Sequence, residues 1–363
     1  MLYNWQQKDW TKFSHDASKF EAAALEFREF AGQSIGILGS MTSAQQDGSI
    51  VNLLVSEAIK TSAIEGEMIS RADVISSIKK NLGFPTPSVV IKDKRSAGIA
   101  ELLVKSRLTF AEPLNEQVLF DWHRLLMHGS FGIEVGVWRS HLEPMQVVSG
   151  AMGRPVVHFE APPSVDVPHE MSRFFEWFND SRATLPNPLV RSAIAHLYFE
   201  SIHPFEDGNG RIGRVIAEKV LSQSLGRPIL LSLSATIEAD KKAYYYALQS
   251  AQTSNDCDDW IAYFSRIILK SQSEFIQTVA FSLKKARFFD AQKGSLNERQ
   301  LKVVSRMLEE GENGFVGGMN ARKYQAIAKT SKATATRDLQ DLVERKVLVA
   351  AGGGRSTNYQ VIL

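Results

Sequence analysis

One cysteine, Cys257, in 363 residues leaves no partner for an internal disulfide and no thiolate set for a structural zinc site. Cys257 is expected to be a small apolar residue of a helix. No apolar run approaches the roughly 18 residues of a membrane span, so no membrane partner is expected. The opening MLYNWQQKDW lacks the basic-then-apolar pattern of a secretory signal, and a cytoplasmic location is the expectation. An excess of one charge is missing too: 42 Lys and Arg face 40 Asp and Glu, a net of +2. That excludes a surface built as a whole for a polyanion. The basic excess sits at the C-terminal end, where residues 297–363 hold eleven Lys or Arg and seven Asp or Glu, a net of +4. At 44% hydrophobic and 23% charged, the chain has the composition of a folded protein of two or three domains.

What is there is mainly helical. Residues 16–45 and 48–64 place apolar side chains at helical spacing without a proline, as in Ile50, Leu54 and Ala58 beside Val51, Val55 and Ile59. The run Gly83-Phe84-Pro85-Thr86-Pro87-Ser88 then breaks the pattern, and residues 1–90 are taken as an N-terminal helical domain. A second domain, 91–288, is expected to hold helices at about 93–107, 115–128, 167–180, 188–201, 211–225, 238–253 and 257–287. Its exception is Met145–Phe159, where two β-branched runs flank Gly150 to Gly153 and predict a hairpin. Beyond a short linker at 291–295, residues 296–363 read as three helices and a hairpin about Gly352 to Gly354, the element order of a winged helix.

The stretch HPFEDGNGRIGR, His203 to Arg214, concentrates chemistry. Val190, Ile194 and Leu197 share a helical face leading to His203, and Pro204 ends that helix. Arg211 is expected to open the next one, so Gly208, Asn209 and Gly210 fall at a helix N-terminus. There backbone N–H groups and the helix dipole favour a phosphate, and glycines admit close approach. Arg211 and Arg214 offer permanently charged bidentate donors. Asp207 suits Mg²⁺ bridging phosphates, and His203 can accept a proton from an incoming hydroxyl near neutral pH. Taken singly, each part has an ordinary structural use: a His-Pro turn, a Gly-Asn-Gly bend, solvated arginines. Together they describe attack of a hydroxyl on a metal-bound phosphoryl group.

The twelve residues resemble the signature of the Fic family, His-Pro-Phe-x-Asp-Gly-Asn-Gly-Arg-x-x-Arg, at every defined position. That resemblance implies a mainly α fold with a β-hairpin flap, and transfer of AMP from ATP to a Ser, Thr or Tyr hydroxyl of a protein, the chain itself included. It implies His203 as base and Asp207 as Mg²⁺ ligand. Gly208, Asn209 and Gly210 would cradle phosphates, and the turn from Arg211 through Ile212 and Gly213 to Arg214 would line the rest of the ATP site. The hairpin resembles the family's flap, with Val147, Val148, Ser149 and Gly150 on the nucleotide side. Tyr244 and Tyr245 resemble the paired tyrosines bordering the adenine and ribose, with Gln252 eight residues after Tyr244 where asparagine is more familiar.

Upstream, Thr61-Ser62-Ala63-Ile64-Glu65-Gly66 resembles the family's inhibitory motif. By that resemblance Glu65 would pair with Arg214 in the place of the γ-phosphate, and in some relatives the equivalent glutamate also assists removal of AMP. Capping of the helix end by Gly66 is compatible with either role. A homodimer is neither shown nor excluded.

Two other readings remain open at this level. A nucleotide-sensing transcriptional regulator would bind DNA through residues 296–363, with Lys332, Thr334, Thr336 and Arg337 facing the major groove and Arg355 on the wing. A hydrolytic metal enzyme would use His196, His203 and Asp207, although no HExxH or cysteine set accompanies them.

Overall fold

Apolar periodicity becomes helix wherever the sequence carries it. In chain order the elements are α1 (Glu21–Gly39), α2 (Ser43–Ile64), α3 (Arg71–Asn81), α4 (Lys94–Leu108), α5 (Glu116–Leu126), β1 (Gln146–Ser149), β2 (Val156–Glu160), α6 (Val167–Thr184), α7 (Pro188–Ile202), α8 (Asn209–Leu225), α9 (Leu233–Ala239), α10 (Lys241–Ala251) and α11 (Asp258–Ala291). They are followed by α12 (Glu298–Glu309), α13 (Ala321–Ala328), α14 (Lys332–Glu344), β3 (Leu348–Ala351) and β4 (Asn358–Val361). The computed structural model describes the chain except Met1 and residues 86–90, 150–155, 312, 313, 316 and 354–356. Gly150 and Arg355, both singled out from the sequence, therefore lie outside the described residues. The chain divides into two units, Met1–Phe275 and Ile276–Leu363. No described helix is long and apolar enough to cross a membrane.

The first unit is built round α7. Asn187 caps it, its side-chain oxygen accepting from the N–H groups of Leu189 at 3.0 Å and Val190 at 3.4 Å, and Pro188 opens the first turn. Every residue from Pro188 to Ile202 is buried, as expected of a helix packed on all sides. One face meets Phe174, Phe178, Ile212 and Ile216; the other meets Leu233, Ile237, Trp260 and Phe264. Arg191, buried on α7, is held by Phe178 O on α6 at 2.8 Å and by Gln223 Oε1 on α8 at 3.0 Å, and lies over the Phe178 ring. One guanidinium thus ties three helices together. Burial pushes its pKa down to about 10, still cationic at neutral pH.

Three local features depart from the sequence expectation. α3 is helical although Val74 and Ile78 are its only fully buried apolar residues; Ser70 caps it through Asp73 N–H at 3.3 Å. The helix expected over 238–253 is two, because Asp240 (φ −140°) breaks the chain and caps α10 through Ala243 N–H at 3.2 Å. The helix after the motif starts at Asn209, two residues early, because Gly208 at φ +86° makes the turn. β1 and β2 pair antiparallel, Gln146 opposite Glu160 and Ser149 opposite Val156, with an irregularity between Val147 and Val148.

In the second unit, α12, α13 and α14 enclose Val303, Val304, Met307, Tyr324, Leu339 and Leu342. β3 pairs antiparallel with β4, Leu348 opposite Val361. Asp338 of α14 accepts Tyr324 Oη at 2.9 Å and Arg299 Nε at 2.9 Å, joining all three helices.

Gly98 of α4 faces the Leu125 carbonyl of α5 so closely that a Cβ there would collide with it. Gly98→Ala is expected to lower stability by about 1–3 kcal/mol in urea unfolding, since the two helices must part. An unchanged midpoint would contradict this packing.

Candidate active site

The turn between α7 and α8 is fixed by its own side chains and by two neighbours. Asn209 bonds back to Phe205 twice, accepting from its N–H at 2.9 Å and donating to its carbonyl at 2.8 Å. Its side chain is therefore occupied in closing the loop, and it is the backbone of this residue that stands at the helix N-terminus. His203 ends α7 in the left-handed region at φ +51°, its N–H bonded to Phe199 O at 3.0 Å. That conformation is uncommon for a residue with a Cβ. It is held by Arg139, whose Nε donates to His203 O at 2.8 Å and whose Nη2 donates to Pro162 O at 2.6 Å and Ile202 O at 3.2 Å. Arg139 Nη1 also reaches Ser164 Oγ at 2.9 Å, and its backbone N–H reaches Pro204 O at 2.9 Å. Buried without a carboxylate partner among these contacts, Arg139 has its pKa pushed down to about 10.

On the other side, His123 of α5 stacks on Phe205 with ring centroids 4.1 Å apart. Gly136 N–H donates to its Nδ1 at 2.9 Å, which leaves Nε2 to carry the proton toward Asp207 O at 3.2 Å. Burial pushes His123 down to about 4, consistent with this neutral form.

Gly208 leaves no room for a side chain: a Cβ would lie 2.9 Å from Leu126 Cδ2. Gly210 faces the Glu65 carboxylate and Gly213 the Glu200 carboxylate, each too closely for a Cβ. Ile212 points into the core. The first N–H groups of α8 have no partners within the helix by its geometry, an arrangement that suits an anion.

Both motif arginines are buried, Arg211 at 2% exposure and Arg214 at 1%, and both are engaged by the exit of α2. Arg214 donates from Nε to Thr61 Oγ1 at 2.9 Å, and from Nη2 to Thr61 O at 3.1 Å and Glu65 Oε1 at 2.8 Å. Burial opposes its charge, but Glu65 outweighs that and raises its pKa. Arg211 donates from Nη1 to Glu67 Oε2 at 2.6 Å and from Nη2 to Asp207 Oδ1 at 3.1 Å. Glu67 was not singled out from the sequence.

Asp207 is half exposed, and only its Oδ1 is used in these contacts. Such a carboxylate fits Mg²⁺, which commonly takes one protein oxygen and completes its shell with water and phosphate. Among the described residues there is no group of three or more potential metal ligands, so any such ion would draw most of its shell from elsewhere.

Burial, reinforced by the Arg139 charge, pushes the His203 imidazole down to about 4, against the Glu200 carbonyl, Glu65 and Asp207. It is thus neutral at pH 7. Glu200, also unforeseen, lies one turn earlier with Oε2 3.6 Å from His203 Nδ1. Burial pushes its carboxyl up to about 8, against Arg214 and with Glu65.

The tyrosines divide. Tyr244 is buried, its hydroxyl on His196 Nε2 at 3.1 Å, while Tyr245 is partly exposed beside Glu65. His196 packs on Trp260 and Phe264, and burial lowers its pKa to about 3. Gln252 is buried, donating to Glu200 O at 3.3 Å. On the hairpin Val147 is half-buried and Val148 exposed, and Ser149 ends β1.

Residues 113–221 match the Fic/DOC family, and they contain α7, α8 and the turn between them. That segment is a Fic/DOC domain. Residues 3–84, which carry the Glu65 segment, match a domain of unknown function, DUF4172. Among curated relatives, the protein adenylyltransferase fic-1 of Caenorhabditis briggsae is 24% identical over 145 residues, 40% of this chain and 27% of that protein. The protein adenylyltransferase Fic of Nematostella vectensis is 24% identical over 195 residues, 53% of this chain and 42% of that one. The chain thus spans less than half the length of either. A Fic family protein from Desulfovibrio desulfuricans G20 shares the fold at 21% identity and a TM-score of 0.52, covering 94% of this chain and 96% of that one. Fic-1 of C. elegans, residues 134–508, aligns at 20% identity and a TM-score of 0.51, covering 73% and 74%.

The raised Glu200 carboxyl has a consequence for stability. Its folded value lies above the ordinary 4.5, so the native state holds a proton that the unfolded chain releases, and stability is lost as pH rises from about 4.5 through 8. Glu200→Gln is expected to melt above the parent at pH 9, with the gap closing toward pH 5. A gap that does not vary with pH would contradict a neutral Glu200.

Proposed function

We propose that this protein transfers AMP from ATP to a hydroxyl of a protein side chain, and that Glu65 holds it inhibited. The observation that carries the reading is His203 standing, neutral, at the end of α7 opposite the glycine-lined start of α8, where two buried arginines converge. The curated relatives named protein adenylyltransferase support it.

In this reading the triphosphate lies along the N-terminus of α8, its phosphates on backbone N–H groups and on Arg211 and Arg214. His203 takes the proton of the acceptor hydroxyl while that oxygen bonds to the α-phosphorus. The bond from the α-phosphorus to its bridging oxygen breaks, and pyrophosphate leaves. Asp207 would hold Mg²⁺, which would neutralise phosphate charge. Tyr245 borders the nucleoside, and the exposed edge of the hairpin would dock the target segment by strand addition. With Glu65 on Arg214, the guanidinium that would receive the outermost phosphate is taken, and the α-phosphorus loses its alignment with the acceptor. Removal of AMP from modified protein would be a hydrolysis at the same site: a water oxygen bonds to the phosphorus, the side-chain oxygen leaves with a proton, and AMP is released.

Glu65→Gly is expected to raise labelling of the chain or a target by ATP labelled at the α-phosphate by roughly tenfold or more, as Arg214 is freed for the outermost phosphate. His203→Ala in that background should abolish it. An adduct of one phosphoryl group instead of one AMP, by intact mass, would refute AMP transfer. Because His203 is held neutral, the rate should show no inflection near its ordinary 6.5.

A second role at the C-terminal unit is favoured by α14, which exposes Lys332, Thr336 and Arg337 along one side; Thr334 is half-buried, and Thr336 Oγ1 returns to Lys332 O at 3.0 Å. The reading is binding of duplex DNA through this helix. Residues 276–363 should retard duplex DNA at about 50 mM salt and release it as salt rises. No retardation at low salt would rule this role out.

A further inference from the structure

The exit of α2 carries two carboxylates, and the proposed inhibition uses one of them. Gly66 at φ +79° turns the chain sharply: its N–H bonds to Ala63 O at 3.1 Å, and the Glu67 N–H bonds to Ser62 O at 2.9 Å. This helix-ending motif needs a left-handed residue between Glu65 and Glu67. It sets their side chains on two different arginines of α8, three residues apart. Glu65 takes Arg214 at 2.8 Å; Glu67 takes Arg211 at 2.6 Å, shorter and against a guanidinium of 3% side-chain exposure.

Charge at the site changes sign with this segment. Arg211 and Arg214 face Glu65, Glu67 and Asp207, so two cations meet three anions and an incoming phosphate finds no net positive charge. Without Glu65 and Glu67 the same pocket holds two cations and one anion. Arg211 is moreover shared, Nη2 on Asp207 and Nη1 on Glu67, so its charge is countered from both sides.

The segment is anchored. The Lys241 ammonium donates to Ile64 O at the end of α2 and lies 5.6 Å from the Tyr245 ring. Two turns upstream, the buried Glu57 accepts from Ser232 Oγ at 2.7 Å and Ser234 N–H at 3.0 Å, fixing α2 to the start of α9. Both carboxylates are therefore presented by a held helix end.

We propose that Glu67 is a second inhibitory carboxylate, which lowers affinity for nucleotide phosphates by neutralising Arg211, whereas Glu65 excludes the outermost phosphate. This rests on the reading of the site as a nucleotide site. The two residues then divide the work. Glu65 discriminates by the presence of a third phosphate; Glu67 acts on any phosphate that approaches Arg211.

The test measures binding of ADP and of ATP, each with Mg²⁺, by calorimetry on the full chain and on its Glu67→Gln and Glu65→Gln variants. Glutamine keeps the shape and removes the charge, and equal melting temperatures establish that each variant is folded. Glu67→Gln is expected to tighten ADP roughly tenfold at low salt, with the gain shrinking as salt rises. Glu65→Gln should tighten ATP and leave ADP unchanged. In the Glu65→Gly background, Glu67→Gln should increase labelling further.

ADP affinity unchanged by Glu67→Gln would overturn the proposal. So would a doubly substituted protein that labels less than Glu65→Gly alone, since Glu67 would then be supporting Arg211. The two readings fail separately: no labelling by Glu65→Gly alongside tighter ADP in Glu67→Gln removes AMP transfer and keeps this role for Glu67.

Discussion

Two guanidiniums buried at the start of α8, and the carboxylates that neutralise them, are the constraint on which the rest of this molecule depends. A buried guanidinium must find acceptors for its N–H groups, and a carboxylate or a phosphate also balances its charge. Here Arg214 finds Thr61 and Glu65, and Arg211 finds Glu67 and Asp207. The N-terminal helices are thereby joined to the turn: the end of α2 supplies the groups that Arg214 and Arg211 meet. A ligand bringing phosphate oxygens in place of carboxylates would satisfy the same donors.

The remainder of the first unit holds the turn steady. α7 is buried along its whole length, so the position of His203 is set by packing on all sides. Arg139 gathers the carbonyls of Ile202 and His203 and the neighbouring Pro162, stabilising an αL residue that would otherwise be strained. His123 fixes Asp207 through its carbonyl, and Asn209 closes the loop from within. These groups hold His203, Asp207 and the start of α8 in one geometry.

Much of this was legible in the sequence where the signal is local. HPFEDGNGRIGR places its functional groups within one turn and one helix start, so residue order alone conveys their neighbourhood. The hairpin and the helices of the C-terminal unit were legible from period and glycine placement. Glu200, Arg139, His123 and Glu67 were not, because their roles arise from contacts between elements. The Arg139 guanidinium contacts residues 23 to 64 positions away, and Glu67 lies 144 positions from Arg211. The break at Asp240 was also hidden, since its capping bond competes with a continuous helical pattern that looks unbroken.

The most direct measurement is a crystal structure of the Glu65→Gly protein with Mg²⁺ and a non-hydrolysable ATP analogue. The account predicts phosphates on the N–H groups of Gly208 to Arg211, the outermost one on Arg214, and the α-phosphorus facing the side of the turn where His203 stands. An analogue bound elsewhere, or Arg214 still turned to Thr61 with the start of α8 closed by protein, would contradict it.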